Sequence, residues 1–230
     1  MKFYLKYLIL LFCSIYIISC AQKKDQQQAK PEVMNQKPII GIIGSGHVGG
    51  TLGKKWAKAG YKVLFSSRNP EQLKDLITEA GHNSEAVTVT NAAKRADIIM
   101  LAVPYKAEAA ISKQIMPYIK GKILLDCDNA YPGRDGEIAT EARKLGAGLY
   151  SYKNYFPETK FIRAFSSLPV ANVGSATANN PVEIPYAVSE ESIKITAEAL
   201  ITAADGKPKF IGGLENSAQL DYYIINKNKQ

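Results

Sequence analysis

Three glycines with fixed spacing begin the most chemically suggestive stretch of the sequence. Gly44, Gly46 and Gly49 fit the pattern Gly-x-Gly-x-x-Gly, directly after an apolar, β-branched run at 37–43. In that context the first glycine permits a tight turn, the second lets a ligand approach the backbone, and the third lets a helix pack on the strand. The free N–H groups at the start of that helix favour a bound phosphate. The pattern predicts a diphosphate-binding turn, and a glycine-rich turn without a ligand is the alternative.

The residues about twenty positions further along indicate which dinucleotide such a turn would hold. A free ribose 2′-hydroxyl requires an acid at the end of the second strand. The sequence instead has Ser66, Ser67 and Arg68 there. Because a guanidinium supplies charge and a forked donor, and the serines add hydrogen bonds, this trio suits a 2′-phosphate. The sequence therefore favours NADP(H) over NAD(H), with an exposed loop arginine as the other interpretation of Arg68.

Two later segments are candidates to lie beside the nicotinamide. Segment 102–104 ends the predicted fourth strand and segment 126–130 ends the fifth. Since the carboxyl ends of parallel strands face one crevice, both segments are expected to border it. Asn129 is the candidate to bond the nicotinamide ribose or a substrate. The three residues before it are expected to serve as turn or packing residues: Asp126, Cys127 and Asp128.

Candidates for acid–base or nucleophilic catalysis are scarce. The chain has two histidines, of which His47 is expected to contact a pyrophosphate and His82 to lie in a surface loop. Cys127 lacks a plausible base and is not expected to act as a nucleophile. No catalytic residue is therefore assigned, because hydride transfer between stacked rings needs no protein acid or base.

Apolar runs and helical periodicities alternate along the chain. Strands are predicted at 37–43, 61–66, 86–90, 96–103, 122–126, 160–165, 182–188 and 209–211, and helices at 48–59, 70–80, 105–119 and 192–203. This alternation with short connections predicts an α/β fold: a Rossmann-type, doubly wound, mostly parallel sheet in a single domain. The last strands would form a short C-terminal extension of the sheet.

The N-terminal residues are expected to lie outside this domain. Lys2 and Lys6 begin a segment whose apolar run, 7–18, is too short for a good spanning helix. Ser19 and Cys20 close it, which resembles a bacterial lipoprotein signal and implies cleavage before Cys20 with lipid on its sulfur. An uncleaved amphipathic or signal-anchor segment is the alternative. The following residues have almost no apolar side chains and predict a flexible tether.

These patterns predict three regions and a location. They are a signal peptide at 1–19, a tether at 20–37 that starts with the lipidated cysteine, and a Rossmann domain at 38–230. The chain is expected to be a membrane-anchored lipoprotein that faces the periplasm.

Charge and cysteine usage exclude several other classes. The chain has 29 basic and 21 acidic residues, but the basic residues are scattered, so no nucleic-acid partner is expected. Of the three cysteines, Cys13 lies in the signal and Cys20 would carry lipid, which leaves Cys127 alone. Neither an internal disulfide nor a metal site is predicted.

Five blocks of the sequence resemble the NADPH-dependent coenzyme F420 (deazaflavin) oxidoreductases and the related NADPH-binding domain of STEAP-type metalloreductases. The blocks are IGIIGSGHVGGTLGKKWAKAGYKVLFSSRNPEQL, AVPY, ILLDCDNAYPGRDG, IRAFSSLPVANV and IPYAVSEESIKITAEALITAADGKPKFIGGLENSAQLD. The resemblance covers most of residues 38–221. It implies hydride transfer from NADPH to a stacked acceptor, with F420 or a flavin as the candidate.

The resemblance also implies a set of cofactor contacts. Residues 45–48 would hold the pyrophosphate, 66–68 the 2′-phosphate and 102–104 the nicotinamide, while residues after the fifth and sixth strands would lie by the nicotinamide and the acceptor ring. Together with the glycines, the predicted cofactor-binding set is Gly44, Ser45, Gly46, His47, Val48, Gly49, Ser66, Ser67, Arg68, Ala102, Val103, Pro104, Asn129, Ala130, Ala164, Phe165 and Ser166.

Three functions fit these observations. The first is an NADPH-dependent oxidoreductase with a deazaflavin-like or flavin-like acceptor as its small-molecule partner. The second is a membrane-tethered lipoprotein that keeps the nucleotide-binding module without turnover, since NADPH is not expected free outside the cytoplasm. The third is an imino-acid or hydroxyacid reductase, although those usually need a sizeable helical domain after the sheet. A homodimer is left open.

Overall fold

The computed structural model describes residues 37–81 and 83–222, which contain one eight-stranded sheet. In chain order the strands are β1 (Ile40–Ile43), β2 (Val63–Ser66), β3 (Ser84–Val87), β4 (Ile98–Leu101), β5 (Ile123–Asp126), β6 (Lys160–Ala164), β7 (Val182–Val188) and β8 (Gly206–Gly213). Their order across the sheet is β3-β2-β1-β4-β5-β6-β7-β8.

The first six strands are all parallel to one another. β7 runs antiparallel to β6, and β8 is parallel to β7. The prediction of a doubly wound, mostly parallel sheet with a C-terminal extension is confirmed. Because the strand order changes direction between β1 and β4, a crevice opens at the carboxyl ends of these two strands, where ligands bind in such sheets.

Nine α-helices of the described residues connect and flank the strands: α1 (His47–Lys58), α2 (Lys74–Ala80), α3 (Val89–Arg95), α4 (Glu108–Ile119), α5 (Pro132–Asp135), α6 (Glu137–Leu145), α7 (Ala147–Asn154), α8 (Val170–Ser175) and α9 (Lys194–Ala203). Short 3₁₀ segments precede α2, α4 and α9 at Pro70–Leu73, Tyr105–Ala107 and Glu191–Ile193, and a fourth spans Leu214–Leu220.

Several predicted strand ends differ from the observed ones by one to three residues, and at 86–90 the difference concealed a helix. A strand was expected at 86–90, but β3 ends at Val87 and α3 begins two residues later. The physical reason is the cap: the Thr88 side chain accepts a hydrogen bond from the backbone N–H of Asn91 at 3.3 Å, which satisfies a free donor of the first turn. The β-branched run at 86–90 therefore continues into α3, although the sequence of α3 has little apolar periodicity that would indicate a helix.

Both faces of the sheet are covered, so β1, β2 and β4 are buried along their whole length. All four residues of β1 are buried. Ile42 joins Trp56 of α1 in the core on one face, while Ile43 joins Leu101 in the core on the other. The Trp56 indole N–H donates to the Leu200 carbonyl at 2.9 Å, which fastens α1 to α9. This explains why the strands are continuous apolar runs in the sequence.

Several predictions concern residues outside the described ranges. They are the signal peptide, the lipidated Cys20, nearly all of the tether and the surface position of His82. Within 37–81 and 83–222 no helix is both long and apolar enough to cross a bilayer.

Candidate functional site

Steric contacts explain two glycines of the turn between β1 and α1. Gly44 has φ +100°, and a Cβ there would lie 2.2 Å from the Ala102 carbonyl oxygen. A Cβ on Gly49 would lie 2.2 Å from the Gly44 carbonyl oxygen. Gly46 differs, because a Cβ there would have no heavy atom within 4 Å. The packing of the chain thus requires the outer two glycines, whereas the middle one leaves open space in front of the turn.

The start of α1 is free to receive an anion. Gly46 occupies the N-cap position, no side chain caps the helix, and its first turn has no acidic residue. The hydroxyl oxygen of Ser45 is buried and has no hydrogen-bond partner among the described residues. Since helix N-termini present unsatisfied N–H donors and a positive dipole end, this turn fits a diphosphate.

The end of β2 has the features of a second phosphate site. Ser66 is buried, and its hydroxyl has no hydrogen-bond partner among the described residues. Arg68 is exposed and forms no ion pair or hydrogen bond with the rest of the described chain. The Ser67 hydroxyl accepts a hydrogen bond from the backbone N–H of Asn69 at 3.1 Å, which shapes the turn. An unengaged guanidinium next to an unengaged hydroxyl fits the predicted 2′-phosphate contact.

A cavity of about 510 Å³ lies in the crevice at the carboxyl ends of the strands. Seven of the predicted cofactor-binding residues lie on its wall: His47, Val48, Ala102, Val103, Pro104, Asn129 and Phe165. Phe165 has φ +62°, and its ring meets Trp56 edge-on at 6.3 Å between centroids. The structure therefore brings the glycine turn, the end of β4 and the end of β6 to one cavity.

Three of the residues predicted to lie by the nicotinamide and the acceptor ring are not on the cavity wall. Ala130 is fully buried in a cluster with Tyr105, and Ala164 is fully buried in the main core. Ser166 is buried, and its hydroxyl donates to the Leu220 carbonyl at 2.9 Å. Their assignment as cofactor contacts depends on the resemblance alone.

Asn129 has structural partners that the sequence did not reveal. Its side-chain amide donates to the Ser166 carbonyl at 2.8 Å, and its side-chain oxygen accepts from the Tyr222 backbone N–H at 3.1 Å. The side chain thus joins the loops after β5 and β6 to the last described residues. One amide hydrogen remains for a ligand, so a contact with the cofactor stays a prediction.

The cavity wall includes residues that sequence reasoning assigned no ligand role. They are Leu52, Cys127, Asp128, Tyr131, Arg134, Leu168, Pro169, Val170, Val173 and Tyr222. Leu168 and Pro169 lie four and five residues after the end of β6, so their position beyond a carboxyl end was an available signal. No sequence motif identified Tyr222 as a cavity residue, because it reaches the cavity only through the tertiary fold.

Tyr131 and Arg134 form a cationic edge of the cavity. The guanidinium lies over the Tyr131 ring at 5.1 Å from its centroid. It also donates to the Asn129 carbonyl at 2.6 Å and pairs with Asp135 at 2.9 Å. Because these contacts fix the side chain, this edge presents an immobilised guanidinium, paired with Asp135, beside an aromatic face.

Carboxyl groups are concentrated at Asp128, which lines the cavity, and at two buried acids close to it. Oxygens of Glu108, Asp126 and Asp128 lie within 4.8 Å of one another. Burial raises the pKa of Glu108 and of Asp128 well above the usual range, and repulsion from Asp126 adds to both shifts. Burial also raises the pKa of the Cys127 thiol, so it is neutral and a poor nucleophile. Residues 126–128 were expected to be turn or packing residues, and the sequence did not predict that buried acids would cluster there.

The sheet order and the glycine turn at its switch point define a Rossmann-type fold. Residues 39–130 match the family model described as NADP oxidoreductase, coenzyme F420-dependent. The F420-dependent NADP reductase of Methanocaldococcus jannaschii is 27% identical over 196 residues, which are 77% of this chain and 85% of that protein.

Other similarities extend over different parts of the chain. The mitochondrial 3-hydroxyisobutyrate dehydrogenase of Rattus norvegicus is 30% identical over 122 residues. That match takes in 50% of this chain and only 35% of the dehydrogenase. A solved structure of a proposed F420-dependent NADP reductase from Arthrobacter sp. FB24 superposes with a TM-score of 0.63 at 16% identity. It covers 83% of this chain and 91% of that one, and it supports the fold.

Proposed function

We propose that this chain is an NADPH-dependent oxidoreductase that transfers a hydride between NADP(H) and a deazaflavin-like or flavin-like acceptor. The observation that carries the proposal is the pairing of the open Gly46 turn with the unengaged Arg68 at the end of β2. The family-model match over 39–130 and the similarity to the M. jannaschii reductase support the same chemistry.

The chain's own residues have separate roles in this proposal. The N–H groups at the start of α1, together with Ser45, hold the diphosphate, while Ser66 and Arg68 hold the 2′-phosphate. The wall 102–104 and Phe165 support the nicotinamide. When bound, reduced nicotinamide supplies the hydride. The protein contributes binding, orientation and a water-poor wall rather than an acid or a base.

The acceptor would share the cavity with the nicotinamide. Apolar residues of the loop after β6 and of α8 also line the cavity, namely Leu168, Pro169, Val170 and Val173. These residues suit the face of a planar ring, and Tyr131 and Arg134 suit an anionic or polar edge of it.

Titration and an acceptor screen test this proposal. The purified full-length chain, kept in detergent, is titrated with NADPH and then mixed with F420, FMN, FAD or a ferric chelate while nicotinamide absorbance is followed. We expect micromolar binding, about −8 kcal/mol, and oxidation with at least one flavin-like acceptor. Binding without oxidation by any acceptor would favour the module without turnover. Absence of NADPH binding would contradict both functions.

We also propose that the chain is a lipoprotein anchored to the membrane through Cys20 and facing the periplasm. Support comes from the order of basic start, apolar run and Ser19–Cys20 in the sequence. Labelling with a lipid precursor is expected in the wild type and not in Cys20→Ala. Equal labelling of the two chains, or none in either, would refute the lipid anchor.

A further inference from the structure

Five charged side chains are buried together beside the cavity, and one of them, Asp128, also lines it. Four of them are acids and one is a base: Glu108, Asp126, Asp128, Asp221 and Arg163. Asp128 is 5% exposed and the other four are fully buried. One guanidinium cannot neutralise four carboxylates, and an unpaired charge is costly away from water. Other neutralising charges must therefore reach this cluster.

The hydrogen bonds show which acids Arg163 neutralises. Its two terminal nitrogens contact Asp126 and Asp221, the second at 2.7 Å. Asp126 also accepts from the Asp128 backbone N–H at 2.9 Å, and Asp221 accepts from the Ala147 N–H at 2.9 Å. These two acids have the partners that carboxylates require.

Glu108 and Asp128 lack such partners. One oxygen of Glu108 accepts from the Ser151 hydroxyl, while its other oxygen has no partner among the described residues. One oxygen of Asp128 accepts from the Val103 N–H at 2.8 Å, and its other oxygen is likewise buried without a partner. A proton on each acid removes the charge and supplies a donor at the unpartnered position.

The remaining polar groups around the pair do not replace those protons. The Tyr105 hydroxyl donates to the Ala147 carbonyl, and Ser151 bonds both Tyr105 and Glu108. Cys127 is a neutral thiol. Arg134 attracts Asp128, but it lies at the cavity edge in contact with Asp135.

Asp128 connects this cluster to the cavity. Its hydrogen bond fixes the backbone of Val103, the middle residue of the wall that would support the nicotinamide. A charge on Asp128 would therefore appear directly beside residues 102–104, on the cavity wall itself. The oxidised nicotinamide ring is positively charged and the reduced ring is neutral, so only the oxidised form gains from a negative charge there.

We propose that Glu108 and Asp128 form a proton-holding pair, and that Asp128 is a positioning residue whose charge state sets the preference of the site for NADP⁺ or NADPH. This inference depends on the proposed function for the identity of the ligand. When both acids of the pair are protonated, the site favours NADPH. When the pair has lost a proton, the site favours NADP⁺. By linkage, NADP⁺ binding promotes release of a proton from the pair and NADPH binding does not.

Proton release on binding tests the inference directly. The full-length protein in weak buffer with a pH indicator is mixed with NADP⁺ or with NADPH between about pH 6 and about pH 9. We expect more protons released with NADP⁺ than with NADPH. As the pH rises over that range, the dissociation constant of NADP⁺ should fall relative to that of NADPH by at least about fivefold.

Amide variants and a matched control sharpen the test. Asp128→Asn and Glu108→Gln mimic the protonated acids, so each should remove most of the extra proton release, and Asp128→Asn keeps an oxygen for the Val103 N–H. The control Glu137→Gln removes an exposed acid at the start of α6 and should behave like the wild type. Infrared spectra of the unliganded wild type should contain a protonated-carboxyl band that is weakened in both cluster variants and unchanged in the control.

Each contrary result has a distinct meaning. If both nucleotides bind with a pH-independent ratio and equal proton release, this inference is overturned and the proposed function stands. If neither binds, both are overturned. A stoichiometric divalent cation that co-purifies with the wild type and is lost from Asp128→Asn would also overturn the inference, because a metal would then neutralise the acids.

Discussion

Arg163 of β6 and Asp221, near the end of the described chain, form an ion pair at 2.7 Å with both side chains fully buried. The carboxylate also accepts from the Ala147 N–H, so it fastens β6 and α7 to the last described turn. Tyr222 follows at once and reaches the cavity, where its N–H meets Asn129. The ion pair thus stabilises the position of the chain segment that brings Tyr222 to the cavity.

Removal of this carboxylate should be strongly destabilising. Asp221→Ala leaves the buried guanidinium with one acidic partner and the Ala147 N–H without its acceptor. We expect the free energy of unfolding to fall by about 3–5 kcal/mol, as for other broken buried pairs. Urea denaturation followed by circular dichroism measures the change.

A surface pair provides the control for that measurement. Lys54 and Glu79 also meet at 2.8 Å, but their side chains are 42% and 61% exposed. Glu79→Ala should therefore cost less than about 1 kcal/mol. Similar losses in the two variants would show that the buried pair contributes no more than a surface one.

Arg68 is expected to decide between the two dinucleotides. Arg68→Ala should weaken NADPH binding by about 1.5–3 kcal/mol, the range for hydrogen bonds to charged groups, and leave NADH binding unchanged. Calorimetric titration with both cofactors measures the difference. Arg95→Ala is the matched control, because Arg95 is also partly exposed but pairs with Glu85 at 2.7 Å. If Arg68→Ala kept the wild-type preference, the 2′-phosphate assignment would fail.

The middle and last glycines of the turn should respond differently to alanine. A methyl group on Gly46 meets open space, so Gly46→Ala should cost less than about 1 kcal/mol of stability. It would project toward the predicted diphosphate, so NADPH affinity should fall at least about tenfold, or 1.4 kcal/mol.

Gly49→Ala is the contrasting variant. Its methyl group would overlap the Gly44 carbonyl at 2.2 Å, so we expect a loss of stability of about 1–3 kcal/mol. Thermal unfolding and NADPH titration of both variants separate the two effects. Unchanged NADPH affinity in Gly46→Ala would contradict a diphosphate at this turn.

The buried acids should make stability fall as pH rises. Burial raises the pKa of Glu108 and of Asp128, so the folded chain keeps protons that the unfolded chain has released. Their contribution is fully present below the unfolded pKa, about 4, and is lost as pH rises toward the folded pKa. The expected slope is about 1.4 kcal/mol per pH unit for each acid.

Urea unfolding at a series of pH values checks the sign and the source of this slope. Glu108→Gln and Asp128→Asn should each flatten the curve by about 1.4 kcal/mol per pH unit above about pH 5. Glu137→Gln should leave it unchanged. A wild-type curve that rises or stays level between about pH 5 and about pH 8 would mean that these acids are ionised in the folded protein.

Local chemistry made much of the fold predictable. The run before Gly44 is buried on both faces of a sheet, which requires consecutive apolar residues. Gly49 is required by the Gly44 carbonyl five residues earlier, whereas Gly44 is required by Ala102, far along the chain. Helix α3 was missed because its start depends on a single Thr88 cap rather than on periodicity. The small helices α5–α8 were missed as well, since short helices obtain their stability from packing on the rest of the protein.

By itself, the sequence determined the alternation of strands and helices, the glycine pattern and the serine–arginine end of β2, because each of these is a pattern of neighbouring residues in the chain. Only the tertiary structure decided which predicted residues reach the cavity: Phe165 does, whereas Ala130, Ala164 and Ser166 face inward. It also gathered Glu108, Asp128 and Asp221 from three elements around one guanidinium. Burial and long-range pairing set the charge of such groups, and neither can be deduced from spacing in the chain.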